Sequence, residues 1–353
     1  MAALSDVPIK RRLLIYVVLL IATAACLSRW GHKPLYFGPR SDIYPRWLGS
    51  RELSLNGLDP YSERVTQQIQ LMYYDRPLAP GESRDEQRFA YPIYISFLML
   101  PTVLLPFREV QFIFVICLVL ATAASVFFWL RFVKWDISRV GMALILILTL
   151  CNPGTLRGLR LQQPALLVAA FLAAAAFCVA NGRLVMAGTL LGFATIKPQT
   201  MFLPLIWFVV WCAGDWSKRK SLLIAFFATA FSLCLAGELI LPGWIPEFIQ
   251  GMIAYRRYAG YTGMEILFGR GPLAAVASAL ILLWTGLRMW RNRKVDADSP
   301  QFILQLSSIL VVELLIMPGM FDLYNVVLLL PGIFILLKPK SELTISAGAV
   351  ARA

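Results

Sequence analysis

Apolar runs close to twenty residues long recur from one end of this 353-residue chain to the other, and they leave it few ways to fold. A helix needs ~20 apolar residues to cross ~30 Å of hydrocarbon. Candidate spans are Leu13–Ser28, Tyr91–Phe107, Val110–Leu130, Val140–Cys151, Pro164–Ala180, Leu184–Ala213, Leu222–Leu241, Pro272–Leu287, Phe302–Pro318 and Leu323–Leu337. Lipid offers no hydrogen-bond partner to an open backbone, so each run is read as a helix. The alternating pattern of a membrane β-barrel is absent. Charged residues make up 15% of the chain, against about a quarter in a soluble globular protein. The expected fold is an all-α integral membrane protein, a single domain over residues 1–353. It would be a bundle of about ten transmembrane helices with a long first outer loop at 31–90.

The formal charge of +13 does not point to nucleic acid, because the surplus flanks apolar spans. Lys10-Arg11-Arg12, Lys218-Arg219-Lys220, Arg288 to Lys294, and Lys338 with Lys340 read as cytoplasmic anchors under the positive-inside rule. They put the N-terminus, 214–221, 288–299 and the tail inside, and 31–90, 242–271 and 318–322 outside. The first segment also matches a signal peptide, with Ala22-Thr23-Ala24 as a cleavage pattern. An uncleaved first helix fits a chain with many later spans, and either way 31–90 ends up outside. The middle admits two topologies. If Tyr91–Phe107 and Val110–Leu130 both span, Arg131, Lys134 and Arg139 fall outside, against the charge rule. If the run interrupted by Pro92, Pro101 and Pro106 only dips in, the middle inverts, and Arg157, Arg160, Gln162 and Lys197 face outside.

Eight of the chain's twenty carboxylates lie in residues 31–90, beside eight Lys/Arg. That concentration marks the loop as the place for chemistry at a membrane surface. Asp42 is the foremost candidate. It sits between Arg40 and Arg46, which favour its ionised form, and just ahead of Tyr44 and Trp47. A carboxylate just above a bilayer acts as a general base if it touches a substrate hydroxyl. An ordinary loop aspartate in a local ion pair would read the same way. Asn56-Gly57-Leu58-Asp59-Pro60-Tyr61 is a turn by composition; Asp59 holds that turn or a substrate, and Tyr61 stacks on a sugar or packs at the interface.

Lys197-Pro198-Gln199 interrupts a long apolar run, and a lysine at membrane depth is costly without a partner. It reads as a counter-charge for a lipid phosphate or as a loop between two short helices. Tyr255-Arg256-Arg257-Tyr258 suits a phosphate headgroup, which arginine binds bidentately, or generic lipid anchoring. The cysteines lie within or beside apolar spans in no metal-binding spacing, and His32 is the only histidine, so no metal or cofactor is expected. No Walker loop, GxGxxG, HExxH or GxSxG is present. Carboxylates inside the spans are few, Glu238 and Glu313, whereas proton-coupled carriers place ionisable groups near the midplane.

Taken in order, these motifs resemble glycosyltransferase family 87 of the GT-C superfamily. The resemblance runs from about residue 40 to 335. It is carried by the outer-loop aspartate with Gly57 and Pro60-Tyr61, and by Tyr91-Pro92 with Leu100-Pro101 and Leu105-Pro106. Leu161-Gln162-Gln163, Ala187-Gly188 and Gly192 through Gln199, and the polar break Met317 to Tyr324 complete it. Ile93 stands where the family often has a second proline, and Leu161-Gln162-Gln163-Pro164 departs from its frequent Gly-Gln-x-Asn. The resemblance implies transfer of a hexose, mannose in the first place, from a polyprenyl-phosphate donor to a lipid or glycan acceptor by inverting displacement. Asp42 would be the base. Arg46, Asp59, Tyr61, Arg160, Gln162, Lys197, Gln199, Arg256 and Arg257 would bind substrate. The expected setting is a bacterial inner membrane, with the site on its outer face. The alternatives are a transporter or flippase of a lipid-linked sugar, which would share the basic residues but need no base, and a non-enzymatic assembly partner.

Overall fold

The computed structural model describes residues 41–79, 81–255, 258, 260–320 and 323–338, with Val17 and Ile21. The candidate span Leu13–Ser28 otherwise lies outside the described residues, as do Arg256 and Arg257. Among the described residues every regular element is helical.

The chain enters as an outer cap of short helices. Pro45 starts α1 (Tyr44–Asn56), and Gly57, at φ 64°, ends it. Ser62 caps α2 (Glu63–Tyr74) by accepting from Val65 N. The next apolar run is not a span. Its only α-helix is α3 (Ile95–Met99), followed by a 3₁₀ turn at Leu100–Thr102. Pro92, Pro101 and Pro106 each remove a backbone donor, and the segment is tied back to α1. Trp47 Nε1 donates to Thr102 O at 3.1 Å, and Ser50 Oγ to Ser96 Oγ at 2.9 Å.

The bundle proper begins with α4 (Phe107–Phe132). It continues through α5 (Arg139–Cys151), α6 (Pro153–Arg160), α7 (Ala165–Ala180), α8 (Leu184–Ala194), α9 (Phe202–Gly214) and α10 (Trp216–Ile240). Helices α11 (Trp244–Tyr255) and α12 (Gly263–Phe268) lead to α13 (Pro272–Asn292) and α14 (Pro300–Ile316). A 3₁₀ segment, Leu323–Leu329, runs into α15 (Leu330–Leu337). Only α4, α10 and α13 are long and apolar enough to cross a membrane as single helices among the described residues. The pair α5–α6, bent by 58° at Asn152-Pro153, makes a fourth if counted as one span. The run Leu184–Ala213 is two helices, α8 and α9, separated by the break at Lys197-Pro198-Gln199.

Between apolar helices in lipid, close packing rather than exclusion of water drives association, so small residues sit at the contacts. Alanine-rich α7 is buried nearly all round. Gly188 and Gly192 face α10 so closely that a Cβ on Gly188 would overlap the Leu222 carbonyl, and one on Gly192 would overlap Thr229. Their GxxxG spacing is thus a packing device. One hydrophobic cluster runs from Ile43 to Phe334.

Two ends of the bundle are defined by polar contacts. At one, Arg219 donates to Trp211 O at 2.8 Å, Arg293 O at 2.7 Å and Val295 O at 3.0 Å. Lys134 pairs with Asp298 at 3.3 Å, and Lys338 Nζ donates to Lys134 O at 2.9 Å. The basic residues near 134, 219, 293 and 338 therefore share one end, as the charge rule asks of the cytoplasmic side. This grouping of the basic residues, with no membrane-length helix at Tyr91–Phe107, is the arrangement expected if that run only dips in. Residues 41–42, 91, 161–163 and 197 gather at the opposite end.

Candidate active site

At that opposite end a polar cavity of about 90 Å³ is lined by Asp42, Arg46, Asp85, Gln87, Arg88, Ala90, Tyr91, Gln163, Lys197, Gln199, Tyr255 and Tyr324. These come from the start of α1, the segment before α3, the α6–α7 turn, the α8–α9 break, the end of α11 and the last 3₁₀ segment. Asp42 is fixed at its backbone, where its N–H donates to Leu161 O at 2.9 Å. Its carboxylate accepts from Gln163 Nε2. Lys197 Nζ in turn donates to Gln163 Oε1 at 3.3 Å and lies 5.0 Å from the centre of the Tyr324 ring. Asp42, Gln163 and Lys197 thus form one chain of contacts, with the carboxylate at one end and the ammonium at the other.

Arg46 stands one helical turn beyond Asp42. Its Nη1 donates to the Asp42 carbonyl, and its guanidinium stacks 4.1 Å from the centre of the Tyr91 ring. Nε of Arg46 is buried and has no hydrogen-bond partner among the described residues. A buried guanidinium N–H without an acceptor is costly, and the deficit is made good when an anionic ligand occupies the site. Burial works against the Arg46 cation, but nearby Tyr91, Asp42, Tyr73 and Tyr255 more than offset it and hold its pKa above the usual value. Burial pushes the Tyr91 phenol up to about 12, which keeps it a neutral donor. Burial likewise raises the pKa of Asp85 on the opposite wall, with Arg46 opposing the shift.

A second, larger cavity of about 490 Å³ adjoins the first and shares Arg88 with it; its walls include Asp59, Tyr61, Glu86, Phe89, Glu247 and Gln250. A small recess lies beside both, sharing Asp85, Arg88 and Tyr255 with the first cavity and Arg88, Gly251 and Ala254 with the second. Asp59 Oδ1 accepts from Tyr61 N at 2.8 Å, closing the turn, and Tyr61 OH donates to Tyr91 O at 2.6 Å.

Of the residues singled out by sequence, Asp42, Arg46, Lys197 and Gln199 meet in the smaller cavity, and Asp59 and Tyr61 in the larger. Gln162 faces the protein instead. Its Oε1 accepts from Ser41 Oγ and, at 3.1 Å, from Gln111 Nε2, while its Nε2 donates to Leu159 O at 3.0 Å and Arg160 O at 2.6 Å. Arg160 is not among the residues lining either cavity. Gln163, Tyr324 and Asp85 were missed by sequence reasoning. The departure at Leu161-Gln162-Gln163-Pro164 was the available signal for the first of them. Among the described residues no cluster of His, Cys, Asp or Glu is set to hold a metal ion.

Every regular element among the described residues is helical and several helices are long and apolar enough to cross a membrane, the character of an integral membrane protein. The sequence profile of glycosyltransferase family 87 matches residues 89–318, well over half of the chain, and the chain belongs to this family. It is therefore a glycosyltransferase. The match covers Tyr91, Gln163, Lys197 and Gln199, while Asp42 and Arg46 precede it and Tyr324 follows it. No curated protein and no solved structure matches the chain.

Proposed function

We propose that this protein moves a hexose, mannose in the first place, from a polyprenyl-phosphate donor to a lipid or glycan acceptor, with inversion at the anomeric carbon. The observation that carries the reading is the Asp42–Gln163–Lys197 chain of contacts with Arg46 in one cavity. Asp42 takes the proton of the acceptor hydroxyl as its oxygen bonds to the anomeric carbon. The bond from that carbon to the phosphate oxygen breaks, and the electron pair leaves with the lipid phosphate. Lys197 and the unpartnered Nε of Arg46 meet the charge developing there. A single displacement of this kind inverts the centre and needs no metal.

A lipid-borne donor is supported by an apolar groove of about 260 Å³. It runs along α5 and α15 from Asn152 and Val326 to Leu337, and Val326 lies two residues from Tyr324 in the polar cavity. An isoprenoid chain in this groove would hold its phosphate at the cavity mouth. The end of the bundle bearing the cavity is opposite the basic end, which fits an outer-face site in a bacterial inner membrane serving the cell envelope, with the chain acting as one membrane domain.

The test is purified protein incubated with a panel of polyprenyl-phosphate sugars, reading the polyprenyl phosphate released. One donor should be consumed. Asp42→Asn, which keeps shape and loses proton affinity, should lower turnover at least about 100-fold. Near-normal transfer by that variant would remove Asp42 as the base, and Glu52, Asp59 and Glu63, tested alongside, would show whether another loop carboxylate takes the role.

A further inference from the structure

The larger cavity has no part in the displacement itself. Its volume of about 490 Å³ is in the range of small-molecule sites, ~300–1,000 Å³, whereas the 90 Å³ of the polar cavity is below it. It is separated from the cavity that holds Asp42 by the shared Arg88, with Asp85 and Tyr255 on the side of Asp42. Its lining is mixed: the Tyr61 and Phe89 rings, 5.2 Å apart and edge to face, the Gln250 amide, and the carboxylates Asp59 and Glu247.

The charge balance of this lining is the informative part. Arg88, the one cation lining the cavity among the described residues, is already engaged by Glu86 and, at 3.2 Å, by Glu63. Asp59 and Glu247 stand together in the lining, and burial together with the Asp59 charge raises the pKa of Glu247. With Glu86, three carboxyl groups line the cavity against one arginine. That leaves a net acidic wall whose oxygens accept hydrogen bonds. Helix α11 presents Glu247, Gln250, Gly251 and Ile253 to the cavity, while Ile245 and Ile249, which do not line it, are exposed.

We propose that this cavity is the acceptor subsite and that it takes an uncharged or amine-bearing saccharide, to the exclusion of anionic sugars. The assignment rests on the glycosyltransferase reading above. The partly exposed Tyr61 ring, backed by the buried Phe89, meets the apolar face of a sugar, and the carboxylates and Gln250 match its hydroxyls. A carboxylated sugar would bring a further negative charge against this acidic wall, and like charges brought together in this way disfavour binding.

The experiment uses the full chain in lipid nanodiscs and three probes: a neutral methyl hexoside, its amino-sugar counterpart and its uronic acid counterpart. Direct binding to the wild type should favour the first two over the uronide by at least about tenfold. Equal binding of all three overturns the proposal. In the transfer assay, Glu247→Gln should raise the acceptor KM about tenfold without a matching rise in donor KM, and should narrow the gap against the uronide. An unchanged acceptor KM also overturns it. Release of polyprenyl phosphate with no glycoside bound refutes the subsite and leaves the enzyme standing. Glycoside binding with no release from any donor refutes the enzyme, and the name acceptor goes with it.

Discussion

Adjacent glutamines with opposite jobs provide the sharpest test of this site. Gln163→Met keeps length and volume but deletes the amide that donates to Asp42 and accepts from Lys197 at 3.3 Å. Hydrogen bonds to charged groups contribute about 1.5–3 kcal/mol each. If the Gln163–Asp42 bond holds the carboxylate toward the acceptor in the transition state, its loss lowers kcat about 10- to 100-fold, since about 1.4 kcal/mol is a decade of rate. Gln162→Met removes no group from the cavity. It breaks bonds to Ser41, Gln111, Leu159 O and Arg160 O, all in buried surroundings. Neutral buried bonds contribute about 1 kcal/mol each, so this variant should lose about 2–4 kcal/mol of stability and retain most of its kcat at temperatures where it stays folded. The assay pairs turnover of the donor identified by the panel with thermal unfolding of the same nanodisc samples. The reasoning is refuted if Gln163→Met turns over within about twofold of wild type, or if Gln162→Met matches its kinetic loss without a fall in Tm.

The other expectations follow from the same geometry. Lys197→Met should raise donor KM or lower kcat by about tenfold or more, measured by initial rates over a donor series; no change would free Lys197 of any role at the phosphate. Asp85 is a carboxyl whose folded-state pKa is raised by burial. Its contribution to stability is present below the ordinary aspartate range and is lost as pH rises through the folded value. Asp85→Asn should therefore raise Tm relative to wild type at neutral pH, with the gain vanishing in acid; an equal gain at both pH values would contradict the assignment. Cysteines placed at exposed Ser83 and Ser217 of a chain lacking its native cysteines should label from opposite sides of the membrane. Labelling of both from one side would overturn the topology.

Much of this architecture is legible in the sequence because hydropathy and basic flanks respond to the bilayer itself. Those signals give the helical class and single out Asp42 and Lys197, which the fold brings into one cavity, but they leave the side of Lys197 open. Two apolar runs misled for one reason. Hydropathy counts apolar side chains but is blind to where the backbone loses its hydrogen-bond donors. Tyr91–Phe107 is apolar enough to span, yet its three prolines confine it to a five-residue helix pinned under α1. Leu184–Ala213 is continuous by hydropathy, yet Pro198 beside Lys197 ends one helix and starts the next.

The confusion of Gln162 with Gln163 is of another kind, because no local propensity separates two neighbouring glutamines. What separates them is the turn after α6. Leu161 closes the helix, and Gln162 then adopts φ 49°, in the left-handed region. That inversion aims its side chain back at Leu159 O and Arg160 O, while Pro164, opening α7, fixes the exit. Gln163 is left facing Asp42. The residue that reaches Asp42 is thus chosen by a backbone reversal at its neighbour, and the neighbour's own amide is spent holding that reversal in place. Replacing Gln162 by glycine would separate the two contributions. Glycine adopts positive φ freely, so the reversal would persist while the side-chain bonds vanish. Gln162→Gly should then keep more of the wild-type kcat than Gln162→Val, whose branched side chain resists that backbone conformation. Equal kcat in the two variants would mean that the amide bonds, and not the turn, position Gln163.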